Sequence, residues 1–401
     1  MKILHIVPYF YPAWSYGGTP KVVFELCREL VRKGHNITVY TTDVFDKDKR
    51  LDIKRGEGPG CQEAEVDGIK VKYFKNISNR IAFNQKVFLS PGMAIAFKKN
   101  LHHFDMVHLH EFRTLQNAAA YFYLTRYKIP YILSAHGSVL RIMEKGFLKG
   151  LFDISIGFKI LKSMKRAVAV SKIEVGQYIN MGVPEDKISL IPNGIDLSEF
   201  KNAGQLKGKF RGRYGLSDKK IILFIGRLNP IKGIDFLLNT FAILSREDKD
   251  TILVIAGPDD GYKKEIQKLL NLFKMNRRLL LIDGLYGEDK IAALVDADIF
   301  VYPSRHEIFG ITPLEAIACQ TPIVITENCG IADFLREVDG GIMVGYQDIS
   351  QLLKAIRNIL NNREDAKNMT LRGHELIRKD FNWDSISEKT IGLYRSILQE
   401  N

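Results

Sequence analysis

A strand–loop–helix–strand pattern fills the first forty residues and recurs from residue 221, and this repetition limits the possible folds more than any other feature. The first strand is the β-rich run KILHIVPYF, followed by the Gly/Pro-rich loop YPAWSYGGTP. Apolar residues then recur on one helix face, at Val22, Val23, Leu26, Cys27 and Leu30. Gly34 ends this helix before the strand HNITVYTT, so we predict a βαβ unit with its functional loop at the carboxyl end of the first strand.

The second copy begins with the buried-strand run IILFIG and continues through the loop RLNPIKG and the helix IDFLLNTFAIL to the strand TILVIAG. Three more strand runs follow, RLLLIDGL, ADIFVYPS and TPIVIT. Two copies predict an α/β protein with two facing Rossmann-like, doubly wound domains and a cleft between them. The predicted boundaries are 1–200, 201–380 and, for a C-terminal helix that crosses back to the first domain, 381–401. The Gly- and Lys/Arg-rich segment 201–220 is interpreted as a linker.

The composition is typical of a globular protein, with 401 residues of which 46% are hydrophobic and 26% charged. No apolar run reaches the roughly 18 residues that span a bilayer, and the N-terminus resembles a first strand, so we expect a cytoplasmic protein. The four cysteines show no metal-ligand spacing and are interpreted as reduced thiols. The net charge of +12 suits phosphorylated substrates or an anionic membrane surface. Nucleic acid is not an expected partner, because the chain has no nucleic-acid-binding motif.

The stretch RHEIFGITPLEAIAC places Glu307 in a Gly-containing loop and Glu315 just inside the following helix. One interpretation is a capping box, in which Thr312 caps the helix, Pro313 takes its first position and Glu315 bonds back to the Thr312 amide. This interpretation gives no role to Glu307 or Gly310.

Six motifs, in the correct order, resemble the retaining glycosyltransferases of family 4, which have two facing Rossmann-like domains in the GT-B fold. The motifs are YGGTPKVVFELCRELVRKGHNITVYTT, DMVHLHEF, LSAHGS, RAVAVSKIEVGQYINMGVPEDKISLIPNGID, FIGRLNPIKGIDFLLNTF and RHEIFGITPLEAIAC. The resemblance implies transfer of a hexose-type sugar, with retention, from a nucleotide-sugar donor to a glycan or lipid-linked acceptor. The donor would bind the second domain and the acceptor mainly the first. The resemblance favours UDP as the nucleotide, because the family commonly uses it.

A departing nucleoside diphosphate needs a positive charge beside it. Three D-x-D triplets begin at Asp46, Asp248 and Asp296, but none has further ligand-type residues around it, so all three are interpreted as structural. Arg227 and Lys232 follow the first strand of the second domain and match the family's phosphate-binding residues. We therefore expect a metal-independent enzyme without a cofactor, in which these two side chains bind the diphosphate and contribute to catalysis.

The resemblance implies the other donor contacts residue by residue. Glu315 matches the glutamate that binds the ribose hydroxyls, and Glu307 matches the one that faces the donor sugar near its reacting carbon. The base would contact the backbone at Gly284 and Leu285. The sugar hydroxyls would bind the loop amides of Ile308, Phe309, Gly310 and Ile311. Ile308 stands where the family commonly has Gly, which leaves the identity of the sugar open.

In the first domain, Gly17 and Gly18 form a loop that lets the backbone approach the diphosphate or the acceptor closely, and the alternative is a plain strand-to-helix turn. His136, in SAHGS, matches the family's histidine near the hydroxymethyl side of the sugar and is expected to act in catalysis. The two histidines of VHLHEF, His108 and His110, share a strand face. Together with Glu111 they are interpreted as lining an acceptor pocket, and a metal site there lacks an evident third ligand.

Two other functions are weighed against transfer. A nucleotide-sugar epimerase of the same two-domain fold would bind the same donor and need no acceptor. A nucleic-acid-binding protein is disfavoured because carboxylates in the predicted cleft would repel phosphate strands. The chain offers no confident catalytic nucleophile, and the family's favoured account is a same-face displacement in which the leaving phosphate helps to deprotonate the acceptor.

The segment from Arg141 to Arg166 carries seven basic and two acidic residues and predicts a helix with a basic edge. That edge comprises Ser155, Lys159, Lys162, Ser163 and Arg166, and the apolar residues Phe147, Leu148, Leu151 and Phe152 precede the helix. One interpretation is an ordinary surface helix packed on the sheet. The other is weak attachment to an anionic inner membrane surface, to which each basic residue contributes about 1 kcal/mol.

Overall fold

The computed structural model describes residues 1–53, 60–139, 146–275 and 277–400, and gives only the backbone of residues 146–148. The chain divides into two units. Unit 1 comprises Met1–Gly194 together with Trp383–Asn401, and unit 2 comprises Ile195–Asn382. Among the described residues, no helix combines the length and the apolar character needed to span a membrane.

The described residues of unit 1 form eight strands: β1 (Lys2–Ile6), β2 (Asn36–Thr42), β3 (Cys61–Val66), β4 (Ile69–Phe74), β5 (Met106–His110), β6 (Tyr131–Ser134), β7 (Arg166–Ala169) and β8 (Ile188–Leu190). They pair in the order β3-β4-β2-β1-β5-β6-β7-β8. All neighbours are parallel except the hairpin of β3 and β4. The central strands β1, β2 and β5 are buried along almost their whole length, as continuous apolar runs in a parallel sheet require.

In the described part of unit 1, seven helices accompany these strands: α1 (Gly18–Arg32), α2 (Asn79–Gln85), α3 (Pro91–Asn100), α4 (Leu115–Tyr127), α5 (Gly146–Phe152), α6 (Phe158–Ser163) and α7 (Lys172–Asn180). The first of them confirms the helix predicted from the apolar periodicity, since every residue of the predicted face is buried. Gly34, which has a φ of 82°, ends the segment in the left-handed region that glycine adopts without strain.

The helix predicted around residues 154–166 is shorter and less regular than expected. A π-helical segment (Asp153–Gly157) separates α5 from α6, and β7 already begins at Arg166. Asp153, the first residue of this segment, is buried and receives two hydrogen bonds from the guanidinium of Arg113. Arg141 and the side chains of Phe147 and Leu148, which belong to the predicted membrane-binding stretch, lie outside the described residues.

Unit 2 contains six strands: β9 (Lys220–Ile225), β10 (Thr251–Ala256), β11 (Leu279–Ile282), β12 (Ile299–Tyr302), β13 (Ile323–Thr326) and β14 (Ile342–Val344). They pair in the order β11-β10-β9-β12-β13-β14, and every pair is parallel. The helices are α8 (Lys209–Tyr214), α9 (Ile234–Glu247), α10 (Lys263–Leu272), α11 (Gly287–Asp296), α12 (Ile311–Ala318), α13 (Ala332–Arg336), α14 (Ile349–Asn361) and α15 (Arg363–Asp380).

The interpretation of residues 201–220 as a linker was wrong. This segment contains α8, and its few apolar residues, among them Leu206 and Phe210, are buried. The carboxylate of Asp296 accepts hydrogen bonds from the amides of Gly208 and Arg211, which attaches the segment to the end of α11. The segment has few apolar residues, so its composition resembles that of a linker. In the structure, polar contacts hold it in place as much as apolar burial does.

A last helix, α16 (Trp383–Gln399), follows unit 2 in the chain and belongs to unit 1. Its buried face contains Trp383, Ile386, Ser387, Thr390, Ile391, Tyr394 and Ile397. Lys33, just after α1, donates hydrogen bonds to Asp384 and Glu388 of α16 at 2.6 and 2.7 Å. The helix is thus an integral layer of unit 1.

Each sheet has one point at which the strand order reverses. In unit 1 this point lies between β1 and β5, and in unit 2 it lies between β9 and β12. The loops after such a pair of strands leave in opposite directions and open a crevice that commonly binds ligands. The two doubly wound sheets confirm the predicted fold class.

Candidate functional site

Lys232 and Glu307 meet at the switch point of unit 2. Lys232 ends the short turn after β9, and Glu307 lies in the loop after β12. The Lys232 ammonium donates to Glu307 Oε2 and, at 2.6 Å, to the hydroxyl of Tyr302, which itself donates to Oε2 at 2.7 Å. Burial alone would raise the pKa of Glu307, but the adjacent ammonium and hydroxyl outweigh it and lower the pKa below its usual value. Glu307 is therefore ionised, beside a cation that a phosphate can also use.

Gly233 allows these two loops to come together. It has a φ of 65°, and a Cβ at this position would lie 2.0 Å from the carbonyl oxygen of Pro303. Only glycine fits at this position. Gly233, directly after Lys232, therefore allows the β9 loop to pack closely against the β12 loop.

Arg227 extends from the same β9 loop into solvent, with 61% of its side chain exposed. Its guanidinium donates to Asp260, in the loop after β10, at 2.9 Å, and the amide of Asn229 donates to the same carboxylate oxygen at 2.9 Å. An exposed ion pair of this kind is weak, so the guanidinium can exchange its partner for a phosphate at little cost.

Helix α12 begins directly beside this cluster, and its start differs from the predicted capping box. Gly310, with a φ of 102°, is the N-cap, and Thr312 already lies inside the helix. A Cβ on Gly310 would lie 2.8 Å from Cys329 Sγ, so glycine is required here by space as well as by conformation. Because no side chain caps α12, the amides of Ile311 and Thr312 are available to an anion or to hydroxyl groups, whereas Pro313 has no N–H.

Glu315 is buried in α12, and its partner is a side chain that the sequence reasoning missed. Lys290, from α11, donates to Glu315 Oε1 at 2.6 Å. The capping-box interpretation was wrong, because the N-cap is Gly310 and the Glu315 carboxylate accepts its hydrogen bond from Lys290. The second carboxylate oxygen remains able to accept from a ligand hydroxyl.

The remaining predicted donor residues of unit 2 lie in neighbouring loops. Ile308 is half-buried and Phe309 is buried, and the carbonyl of Phe309 accepts from the amide of Ile331 at 2.9 Å, which attaches the loop to the one after β13. Gly284 and Leu285 follow β11. A Cβ on Gly284 would lie 2.9 Å from the ring of Tyr286, a side chain that is 71% exposed.

In unit 1, Gly17 and Gly18 form the start of α1. Gly17 is the N-cap with a φ of 106°, and it has no side chain to bond the first-turn amides. A Cβ at either glycine would meet no atom within 4 Å, so the glycines leave open space in front of the helix N-terminus. This geometry suits close approach by a ligand.

His136, which is half-buried, ends a chain of imidazoles that begins with the buried His5 and His110. His5 Nδ1 lies 3.0 Å from His110 Nε2, and His110 Nδ1 lies 3.0 Å from His136 Nε2. Burial lowers the pKa of His5 to about 3 and that of His136 to about 4, so both rings are neutral at pH 7. In a chain of neutral rings, the nitrogen that carries the proton in one ring determines which nitrogen of the next ring must accept. The tautomer of His136 is therefore linked, through His110, to the tautomer of His5 on β1.

His108 stands beside this chain on β5. Its two nitrogens lie 2.7 Å from the hydroxyls of Tyr394, on α16, and Ser134. Within the described part of the chain, His5, His108 and His110 are the three metal-type ligands that come within 4.8 Å of one another. The third imidazole that the sequence seemed to lack is thus His5, which is the register partner of His108 across β1 and β5. Since both nitrogens of His108 and of His110 are already hydrogen-bonded, a metal would have to break these bonds to bind.

Glu174 holds the loop that carries His136. His136 and Gly137 both have positive φ, at 50° and 87°. The Glu174 carboxylate accepts from the amide of Gly137 at 2.6 Å and from that of Val170 at 2.9 Å. Burial raises the pKa of Glu174 to about 7. The sequence Ser171-x-x-Glu174 reads as a helix start, and nothing in it reveals the second task of positioning this loop.

Each of the three D-x-D triplets has a carboxylate that is hydrogen-bonded within the fold. Asp46 accepts from the amides of Asp48 and Lys49, and Asp248 from the ammonium of Lys220 and the hydroxyl of Thr251. The two carboxylates of the third triplet both contact α8: that of Asp296 accepts from backbone amides and that of Asp298 from Arg211.

Comparison with known proteins identifies the family. Residues 16–199 match the model described as Glycosyltransferase Family 4, and residues 207–375 match the model described as Glycosyl transferases group 1. The chain belongs to glycosyltransferase family 4. It is therefore a glycosyltransferase of a retaining family, and the predicted recognition is confirmed.

Individual relatives of this family 4 chain agree over its full length. An uncharacterized glycosyltransferase of Methanocaldococcus jannaschii is 26% identical over 100% of this chain and 99% of its own. The sucrose-phosphate synthase of Thermosynechococcus elongatus superposes with a TM-score of 0.78 at 21% identity, over 100% of both chains. Anabaena HepE, solved in complex with UDP-glucose, superposes with a TM-score of 0.75 at 16% identity, over 99% of this chain and 100% of that one.

In this family 4 chain, the predicted residues gather in two groups. Arg227, Lys232, Glu307 and Glu315 lie with the predicted loop residues at the carboxyl end of the sheet of unit 2. Gly17, Gly18 and His136 lie at the carboxyl end of the sheet of unit 1. Four residues that share these places were missed: Lys290, Tyr302, His5 and Glu174. Of these, only His5 gave a signal, as a lone histidine inside an apolar strand.

Proposed function

We propose that this glycosyltransferase transfers a hexose-type sugar from a UDP-sugar, with retention and without a metal, to a glycan or lipid-linked acceptor. The observation that carries the donor assignment is the cluster of Lys232, Tyr302 and Glu307 at the switch point of unit 2. It combines a cation, an ionised carboxylate and an uncapped helix start within one crevice.

The diphosphate would bind to Lys232, Arg227 and the first-turn amides of α12. Charge develops on the leaving phosphate as the glycosidic bond breaks, and preorganised cations stabilise that charge more in the transition state than in the ground state. Lys232 is already held in place, whereas Arg227 must leave Asp260. These two cations would stabilise the charge on the diphosphate that a divalent metal stabilises in many other glycosyltransferases. Their presence supports the metal-independent proposal.

The two glutamates would accept hydrogen bonds from hydroxyl groups of the donor. Glu315 Oε2 can accept from the ribose while Lys290 holds Oε1, and the backbone at Gly284 and Leu285 would contact the base. Glu307, ionised beside Lys232, would accept from the donor sugar, with the loop from Ile308 to Ile311 contacting its other hydroxyls. The UDP-glucose bound to HepE supports the choice of UDP.

A thermal-shift series with UDP, GDP and ADP in the presence of EDTA tests the donor proposal. UDP should raise the midpoint, because a ligand at one hundred times its Kd stabilises the folded state by about 2.7 kcal/mol. No shift with any nucleotide, or a shift that EDTA abolishes, would contradict it. Release of UDP from a UDP-sugar should also depend on added acceptor, which an epimerase would not require.

A further inference from the structure

The loops after β1 and β5 meet at Glu111, at the switch point of unit 1. Tyr9, after β1, donates its hydroxyl to Glu111 Oε1 at 2.7 Å, and Thr19, in the first turn of α1, donates to the same oxygen at 3.3 Å. Ser138 also hydrogen-bonds this carboxylate. A carboxylate has about four acceptor positions, so that of Glu111 can still accept from a ligand. Unit 2 repeats this arrangement, since Lys232 after its first central strand bonds Glu307 across the switch point.

The backbone of Glu111 is held in an unfavourable conformation. Its φ is 62°, which non-glycine residues rarely adopt. Its amide donates to the carbonyl of Ser134 at 3.0 Å, and its carbonyl accepts from the Asn117 side chain at 2.5 Å. Strain that the surrounding structure maintains in this way is concentrated at binding and catalytic sites.

A groove between α3 and α4 adjoins this carboxylate, and we call it the α3–α4 groove. It encloses about 180 Å³ and is lined by Phe88, Ser90, Met93, Phe97, Leu115 and Gln116. Phe88 connects the groove to the carboxylate, because its ring also packs on Tyr9, at 5.4 Å between centroids, and on Tyr16, at 5.8 Å.

Buried polar atoms without a hydrogen-bond partner among the described residues collect at this place. They are both side-chain atoms of Gln116, the hydroxyl of Ser90 and the hydroxyl of Tyr16. Gln116 is only 4% exposed. Buried polar groups are normally satisfied, and each exception calls for an explanation such as a ligand.

We propose that the α3–α4 groove and Glu111 together bind a neutral, polyhydroxylated ring, a sugar or cyclitol, as the acceptor of this enzyme. Glu111 holds the hydroxyl at the switch point, and Gln116 bonds hydroxyls farther along the groove. The proposal rests on the proposed transfer function and adds the acceptor class and the residues that bind it.

The chemistry of the groove favours a polyol over the two other occupants. An acyl chain would leave the Gln116 amide unpaired, whereas hydroxyls both donate to its oxygen and accept from its nitrogen. A phosphate would face the Glu111 carboxylate and be repelled, and the nearby cation, Lys86, already lies over the rings of Tyr16 and Phe83. Phe88, Met93 and Phe97 supply the apolar wall of the groove, which most small-molecule sites combine with a few polar groups. Tyr9 and Tyr16 pack on Phe88 on the side toward Glu111.

Saturation-transfer NMR on the full chain tests the proposal. The probes are myo-inositol, the methyl glycosides of glucose, galactose and mannose, and octyl β-glucoside below its micellar concentration. The ring protons should receive saturation, and Gln116→Leu should weaken binding about tenfold, the scale of one lost hydrogen bond with its partner left unpaired. Gln116→Leu should also be at least as stable as the wild type, because it removes an unpaired buried amide. Glu111→Gln should weaken binding as well.

Glu65→Gln, at an exposed site on β3, is the matched control and should bind like the wild type. Saturation of the octyl chain alone, no saturation from any polyol, or unchanged binding in both groove variants would each overturn the proposal. The UDP-induced thermal shift is measured on the same samples. Its loss in the wild type would contradict the donor site of unit 2 and leave the result for the groove unaffected.

Discussion

Among single residues, Lys232 has the least replaceable position, because its ammonium is held between Tyr302 and Glu307 and adjoins the proposed diphosphate. Lys232→Ala should lower turnover of the nucleotide sugar by roughly 10²–10³, the scale for removing one preorganised transition-state donor. Lys264→Ala, an exposed lysine on α10, is the control. Steady-state kinetics checks the comparison, and equal activity of the two variants would remove Lys232 from the mechanism.

The two glutamates should separate binding from turnover. Glu315→Gln should weaken UDP binding by about tenfold or more in calorimetry, since hydrogen bonds to a charged group are worth about 1.5–3 kcal/mol. Glu307→Gln should leave UDP binding intact and lower turnover. Lys290→Met is the control for the ion pair: if Glu315 serves only that pair, both variants will lose stability and keep their affinity for UDP.

The sequence predicts a site residue when the residues that define its role are close to it in the chain. Glu307, Glu315, Arg227 and Lys232 stand in motifs whose order along the chain is visible, so sequence reasoning found them. Lys290 was not found, because its meeting with Glu315 depends on the packing of α11 against α12. Glu174 was missed for a similar reason: its sequence context explains it fully as a helix start.

For elements, the start of α12 depends on Gly310. Gly310→Ala would have to hold a φ near 102° and place its Cβ 2.8 Å from Cys329 Sγ, which should cost at least about 1–3 kcal/mol and shift the loop amides. Gly287→Ala is the matched control, since Gly287 has a φ of 51° and open space around it. Thermal melts with and without UDP should show lost stability in both variants and lost UDP affinity only in the first.

The imidazole chain that links β1, β5 and the β6 loop should make unit 1 sensitive to acid. The folded state keeps His5 and His136 neutral to about pH 3 and 4, whereas the unfolded chain takes up protons near pH 6.5, so stability falls as pH drops below about 6.5. Each histidine contributes up to about 1.4 kcal/mol per pH unit. Glu174 acts in the opposite direction, because its raised pKa favours the folded state at low pH.

Urea unfolding from pH 7.5 to 5 measures this dependence, and His5→Asn should reduce its slope relative to the wild type. The two tryptophans of the chain, Trp14 and Trp383, both belong to unit 1, so tryptophan fluorescence reports on that unit alone. Parallel curves for the two proteins would show that the imidazoles do not determine the acid response.

On the scale of the whole molecule, the net charge of +12 and one apolar edge of unit 1 predict weak binding to anionic vesicles. Leu151, Ile154 and Phe158 are 56%, 74% and 42% exposed beside Lys159 and Lys162. Co-sedimentation should require anionic lipid, fade as salt rises, and decrease in Ile154→Gln. Exposed Leu272 on α10 of unit 2 provides the control, Leu272→Gln. Equal recovery with neutral and anionic vesicles would assign the charge to phosphorylated substrates alone.

The division of the chain could be predicted only in outline. Alternating strand and helix patterns identify two doubly wound sheets, because such patterns are local. The start of unit 2, at Ile195, is not visible in the sequence, since residues 201–220 have the composition of a linker. They are fixed by hydrogen bonds from the amides of Gly208 and Arg211 to the carboxylate of Asp296, 88 and 85 positions further along the chain.

The placement of α16 has a consequence for synthesis on the ribosome. Unit 1 needs Trp383, Tyr394 and the rest of the buried face of α16 to close its core and to complete the partners of His108. Translation proceeds at about 5–20 residues per second, and domains usually finish folding in the order in which they emerge. Here the whole of unit 2 emerges before the last helix of unit 1. Unit 1 is therefore synthesised first and completed last. Until α16 has been made, the apolar surface of unit 1 that this helix covers lacks its final partner.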